Sequence, residues 1–179
     1  MASTMNPVLR QLQGGDRRSI RGVPQVVRQV LADPSLFPEV FAGMDDSDSL
    51  MRMRCSDAVE KITAQHPEYL LPYRKRLIQL AGAAEQQEVR WHMAQLISRI
   101  TLTGSERRRV LGIMAVYLKD ASSIVKTFAM QTMADIAAQD TRLRAPIVEK
   151  LKRLTRDGTP AMKSRGRKLL ARLDGVSPL

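Results

Sequence analysis

The feature that most constrains this chain is a pattern that returns every 36–38 residues. Four segments align without a gap: Met51 to Ile62, Val89 to Ile100, Val125 to Ile136 and Met162 to Leu173. Each opens with an apolar residue and then a basic one: Met51-Arg52, Val89-Arg90, Val125-Lys126 and Met162-Lys163. Four positions on stand Cys55, Met93, Ala129 and Gly166, which are small or adaptable side chains. The pairs Ala58-Val59, Leu96-Ile97, Thr132-Met133 and Leu169-Leu170 follow, and the stripes close on Ile62, Ile100, Ile136 and Leu173. Positions i, i+4, i+7, i+8 and i+11 share one side of a helix, so each segment predicts an amphipathic helix with one buried stripe. Such a unit cannot hide its apolar face alone, and copies must stack to share a core.

Capping residues mark the helix starts. Asp48-Ser49, Ser122-Ser123 and Thr159-Pro160 precede three of the segments, and Glu85-Gln-Gln-Glu88 places acids at the positive end of the second. A partner helix is expected before each: Leu36 to Met44 (with Val23 to Leu31 ahead of it), Tyr69 to Leu80, Ser105 or Glu106 to Leu118, and Leu143 to Leu154. Pro38, Pro72 and Pro146 recur early in these, where a missing N–H costs little. Aromatic residues make up only 4% of the chain against 44% apolar, which favours helix packing over a sheet sandwich.

The run Met51-Arg52-x-x-Cys55-x-x-Ala58-Val59-x-x-Ile62, after an acidic turn, resembles the second helix of a HEAT repeat. The resemblance covers about residues 36–175, with a period shorter than the usual ~40–47 and a truncated first partner helix. It implies an all-α fold: a right-handed α-solenoid of antiparallel helix pairs, HEAT-like, a superhelix of the ARM-repeat type. Residues 1–22 read as a basic, partly disordered extension without the apolar core of a secretory signal. Residues 23–179 then form one domain with repeats near 23–65, 66–102, 103–139 and 140–175. The resemblance further implies a binding scaffold that uses a concave side, since members share fold and differ in partners. A remoter implication is kinship with HEAT-like DNA glycosylases. Those cradle the lesion with several concave aromatics, whereas this chain has a single tryptophan.

Charge is unevenly placed. The formal net charge is +11, of which residues 1–30 hold +4, residues 31–142 zero, and residues 143–179 +7. Lys163, Arg165, Arg167, Lys168 and Arg172, with Arg153 from the preceding helix, form the densest basic stretch. They are candidates for an anion or nucleic-acid backbone, or for capping the end of the array with their aliphatic stems. The column Arg52, Arg90, Lys126 and Lys163 has a plainer reading, pairing with acids of the preceding turn such as Asp48, Glu85 and Asp120.

Met53, Trp91, His92 and Phe128 occupy neighbouring columns beside the stripes and could form an apolar spot for a partner protein, the plainer reading being that Trp91 packs under a loop. Chemistry-bearing motifs are sparse. Two histidines stand without a second His or Cys at metal-ligand spacing, no glycine-rich phosphate loop occurs, and Cys55 falls in a core column as a buried, inert thiol. The sequence therefore predicts a non-enzymatic binding module without metal or cofactor, placed in the cytoplasm, with another protein as partner and nucleic-acid backbone as the alternative.

Overall fold

Among the described residues the chain forms ten α-helices and four 3₁₀ segments, and no strand. The structure, a computed structural model, describes residues 6–16 and 19–175. The fold class is thus all-α, as the periodicity requires. No described helix is long and apolar enough to cross a membrane.

The chain divides into two units, Met1–Leu96 and Ile97–Leu179. The first contains α1 (Pro7–Arg10), α2 (Val23–Ala32), α3 (Phe37–Ala42), α4 (Ser49–Thr63), α5 (Arg74–Ala83) and most of α6 (Gln87–Ser98). Its centre is α4, which packs against α2 and α3. The second contains α7 (Gly104–Tyr117), α8 (Ser123–Gln139), α9 (Arg144–Asp157) and α10 (Pro160–Leu173). There α8 is central, touching α7, α9 and α10. Both central helices carry repeat segments, and the repeat stripe explains their burial. Every stripe position in all four segments is buried except Leu170, which is half-buried.

The small-residue column has a steric cause. Gly166 lies so close to α9 that a Cβ there would stand 1.9 Å from Thr155 Oγ1 and 2.9 Å from its Cβ. Helix starts follow the capping signals. Asp48, Ser122 and Thr159 accept hydrogen bonds from the backbone N–H groups of Leu50, Val125 and Met162. Thr103 and Glu106 add a reciprocal capping box at α7, which the Thr-x-x-Glu spacing encodes. The partner helix before α6 starts later than its apolar pattern predicts. Pro67–Tyr73, with Pro72 inside it, winds as a 3₁₀ helix before α5 begins at Arg74. Phe37, Phe41, Tyr69 and Tyr73 pack together there, with ring centroids 4.3–6.1 Å apart.

Residues 6–16 and 19–22, the described part of the basic extension, form a strap packed within the first unit. Asn6 caps α1, and Val8, Leu9 and Leu12 are buried. The strap turns at Gly22, whose φ of +78° and close approach to the Gln11 carbonyl exclude a side chain. What holds it is Arg54 on α4, which is fully buried (0% exposed). Its guanidinium donates to the carbonyls of Leu12, Gly14, Asp16 and Ser19 at 2.6–3.1 Å. Arg17, Arg18 and residues 176–179 lie outside the described residues.

Candidate functional site

Three of the four expected apolar-spot residues come together in the first unit. Met53, Arg54 and Asp57 stand one to four positions apart on α4, and Glu88, Trp91 and His92 do so on α6, so each helix turns one face to the same space. Ile20 of the strap closes the third side, leaving a groove of about 440 Å³. Ile20 is 53% exposed, Trp91 is half-buried, and Met53 and His92 lie beneath them as buried flooring. The indole and imidazole rings are tilted against each other with centroids 5.6 Å apart. The groove therefore offers an apolar, aromatic wall whose lining includes two acidic residues, half-buried Glu88 and buried Asp57.

Deeper in the same region, donor atoms of Asp57, Glu60 and His92 lie within 4.8 Å of one another. His92 Nε2 stands 3.9 Å from Asp57 Oδ1, and Lys61, one turn on, forms an ion pair with that same oxygen. Asp57 Oδ2 is buried and accepts no hydrogen bond. Sequence spacing concealed this trio because His92 is remote in sequence from the two acids, and only the packing of α6 against α4 unites them.

The fourth residue, Phe128, belongs to α8 in the second unit and has a different role. Arg165 of α10 lies over its ring, 5.5 Å from the centroid, and donates to Gln131 Oε1 at 3.1 Å. Of the expected cationic group, Arg165 is thus half-buried and engaged, and Arg172 donates to Asp135 Oδ1 at 2.7 Å. Arg153, Lys163, Arg167 and Lys168 are exposed. Lys168 and Arg165 border a shallow depression of about 360 Å³ with Thr127, Ala161 and Ser164. Arg153 borders another, of about 320 Å³, with Lys126 and Asp157.

Two members of the basic column, Arg52 and Arg90, tie to backbone carbonyls of the preceding turn. Arg52 donates to the carbonyls of Asp46 and Ser47 at 2.8 and 2.9 Å, and Arg90 to that of Ala84 at 2.8 Å. In both repeats the tie reaches six residues back, fastening the turn to the helix it precedes. Cys55 is buried, and burial together with the nearby Asp46 carboxylate pushes its thiol up to about 12, far from thiolate chemistry. Arg54 is the residue that sequence reasoning missed. Its signal was present, since a basic side chain between Met51, Cys55 and Ala58 on the inward face needs buried acceptors.

Compared with protein-family models and with curated proteins, the chain matches none. The residues of the groove and of the basic surface therefore carry the functional reading by themselves.

Proposed function

We propose that this chain is a HEAT-like α-solenoid module and a non-enzymatic binding scaffold, which holds a segment of another protein in the Trp91 groove. The observation that carries this is a half-buried tryptophan beside an exposed isoleucine and a buried methionine, lining one groove of about 440 Å³. Tryptophan in such a setting supplies large, rigid contact area and is favoured at binding hot spots. Glu88 in the groove wall favours a segment with an apolar anchor next to a basic residue. Burial of all four repeat stripes, and the six-residue arginine ties shared by two repeats, support the HEAT-like reading. A buried free thiol fits the reducing cytoplasm.

Peptide-display selection against the full chain tests this. Selected peptides should converge on an apolar residue flanked by Lys or Arg, shift Trp91 emission, and lose at least about tenfold in affinity on Trp91→Ala. Peptides that bind the Trp91→Ala protein equally well would overturn it.

The second reading, binding of nucleic-acid backbone, is favoured by the exposed Arg153, Lys163, Arg167 and Lys168. Its signature is binding to a non-specific duplex that falls steeply with salt, with a shallower slope after neutralisation of Lys163, Arg167 and Lys168.

A further inference from the structure

The geometry points to a binding site for one zinc-like divalent transition-metal ion, formed by Asp57 and Glu60 of α4 and His92 of α6. The two carboxylates stand three residues apart and so share a helical face, and the imidazole meets them from the neighbouring helix. All three donors fall within 4.8 Å of one another. The His92 Nε2 to Asp57 Oδ1 separation, 3.9 Å, is too long for a hydrogen bond. Two ligands of one tetrahedral zinc, each about 2.0–2.1 Å from the metal, stand about 3.3–3.4 Å apart. The pair therefore needs to close by about half an ångström, within the reach of small side-chain rotations.

A second observation points the same way. Asp57 is only 8% exposed, yet its Oδ2 has no hydrogen bond, and a buried carboxylate oxygen without a partner is costly. Its other oxygen is held by the Lys61 ammonium. Lys61 remains 41% exposed on a flexible stem, so it can swing into water when a dication arrives. Lys61 offsets the charge of Asp57 alone, whereas a dication would offset both carboxylates. The groove residue Arg54 is held elsewhere, with four of its five N–H groups donating to the strap carbonyls.

The donor set selects the ion class. One imidazole and two carboxylates suit zinc and its neighbours, with three protein ligands leaving one position open. Magnesium and calcium demand more oxygen donors than the site has.

The test is titration of the full chain with zinc chloride by calorimetry, with magnesium chloride as control. Emission from Trp91, adjacent to the ligand His92, provides an independent signal, and cobalt chloride should give visible absorption bands of a bound ion. One zinc per chain is expected, with affinity at least about tenfold weaker in Glu60→Gln and His92→Gln. Lys61→Gln should bind more tightly, because the competing cation is gone. His66→Ala, the other histidine, should bind as the parent does. Glu60 is half-buried, so Glu60→Gln keeps the test intact even where His92→Gln disturbs folding, as helical circular dichroism would show. Absence of saturable zinc binding, unchanged affinity in Glu60→Gln, or loss of binding in His66→Ala would each overturn the assignment.

Discussion

Arg54 shows how one side chain can decide the structure of a segment far from it in sequence. A guanidinium sealed from water is tolerable only when its donors are met, and here four backbone carbonyls meet them. Replacing Arg54 with Leu should cost the first unit about 2–4 kcal/mol in urea unfolding and raise hydrogen exchange along residues 6–16. Arg54→Lys should rescue little, because a point-like ammonium cannot span four acceptors. A loss under about 0.5 kcal/mol would mean that the strap is held by its apolar residues alone. At this scale the sequence was legible where size or polarity alone decides. Cys55 and Gly166 sit in a column that demands small side chains, and both are buried there. It was opaque where partners are distant. The ring of Phe128 meets Arg165, and His92 meets Asp57, about one repeat apart, where the period brings helices together but does not say which side chains touch.

At the scale of elements, the helices carrying the repeat were readable because a period near 3.6 exposes the buried face directly. Ile136, at the end of the α8 stripe, is 1% exposed. Ile136→Ala should therefore destabilise the protein by about 2–5 kcal/mol. A change near zero would show the stripe to be out of register. Turns were less readable, since their geometry depends on individual hydrogen bonds. The α8–α9 turn is organised by Asp140, whose carboxylate receives hydrogen bonds from the Arg142 side chain and backbone and from Arg107. These partners, Arg142 foremost, lower its pKa from 3.8 to about 2. The folded state thus prefers the carboxylate more than the unfolded chain does. The stabilisation is complete above the unfolded value and is lost as pH falls through the folded one. Asp140→Asn should accordingly lower the urea midpoint at neutral pH. The gap from the parent protein should narrow below pH 3.8 and close near about pH 2. A gap that persists at that acidity would locate the effect in capping rather than in charge.

For the whole molecule, the contrast between units matters more than the net charge. Residues 1–96 hold 12 basic and 11 acidic residues, whereas residues 97–179 hold 17 and 7, so nearly all of the +11 belongs to the second unit. Read along the chain, the charge seemed to sit at two ends, but the arginines of the first end are offset by acids elsewhere in their own unit. Self-repulsion in the second unit should make the chain more heat-resistant as salt rises toward physiological strength. Neutralising Lys163, Arg167 and Lys168 together should raise the melting temperature at low salt and flatten its salt dependence. Equal salt dependence in parent and variant would assign the effect to other charges.

The strap also bears on how this protein tolerates shortening. The sequence pattern puts the start of the repeating domain near residue 23, and a chain trimmed to that point would keep all four recurring segments. Yet the trimmed protein would keep Arg54 and discard all four of its acceptors, opening to water a guanidinium that the strap now covers. It would also discard Ile20, one wall of the groove. The stretch that periodicity marks as dispensable is the plug that keeps water out of the first repeat, and any minimal version of this protein has to begin ahead of it.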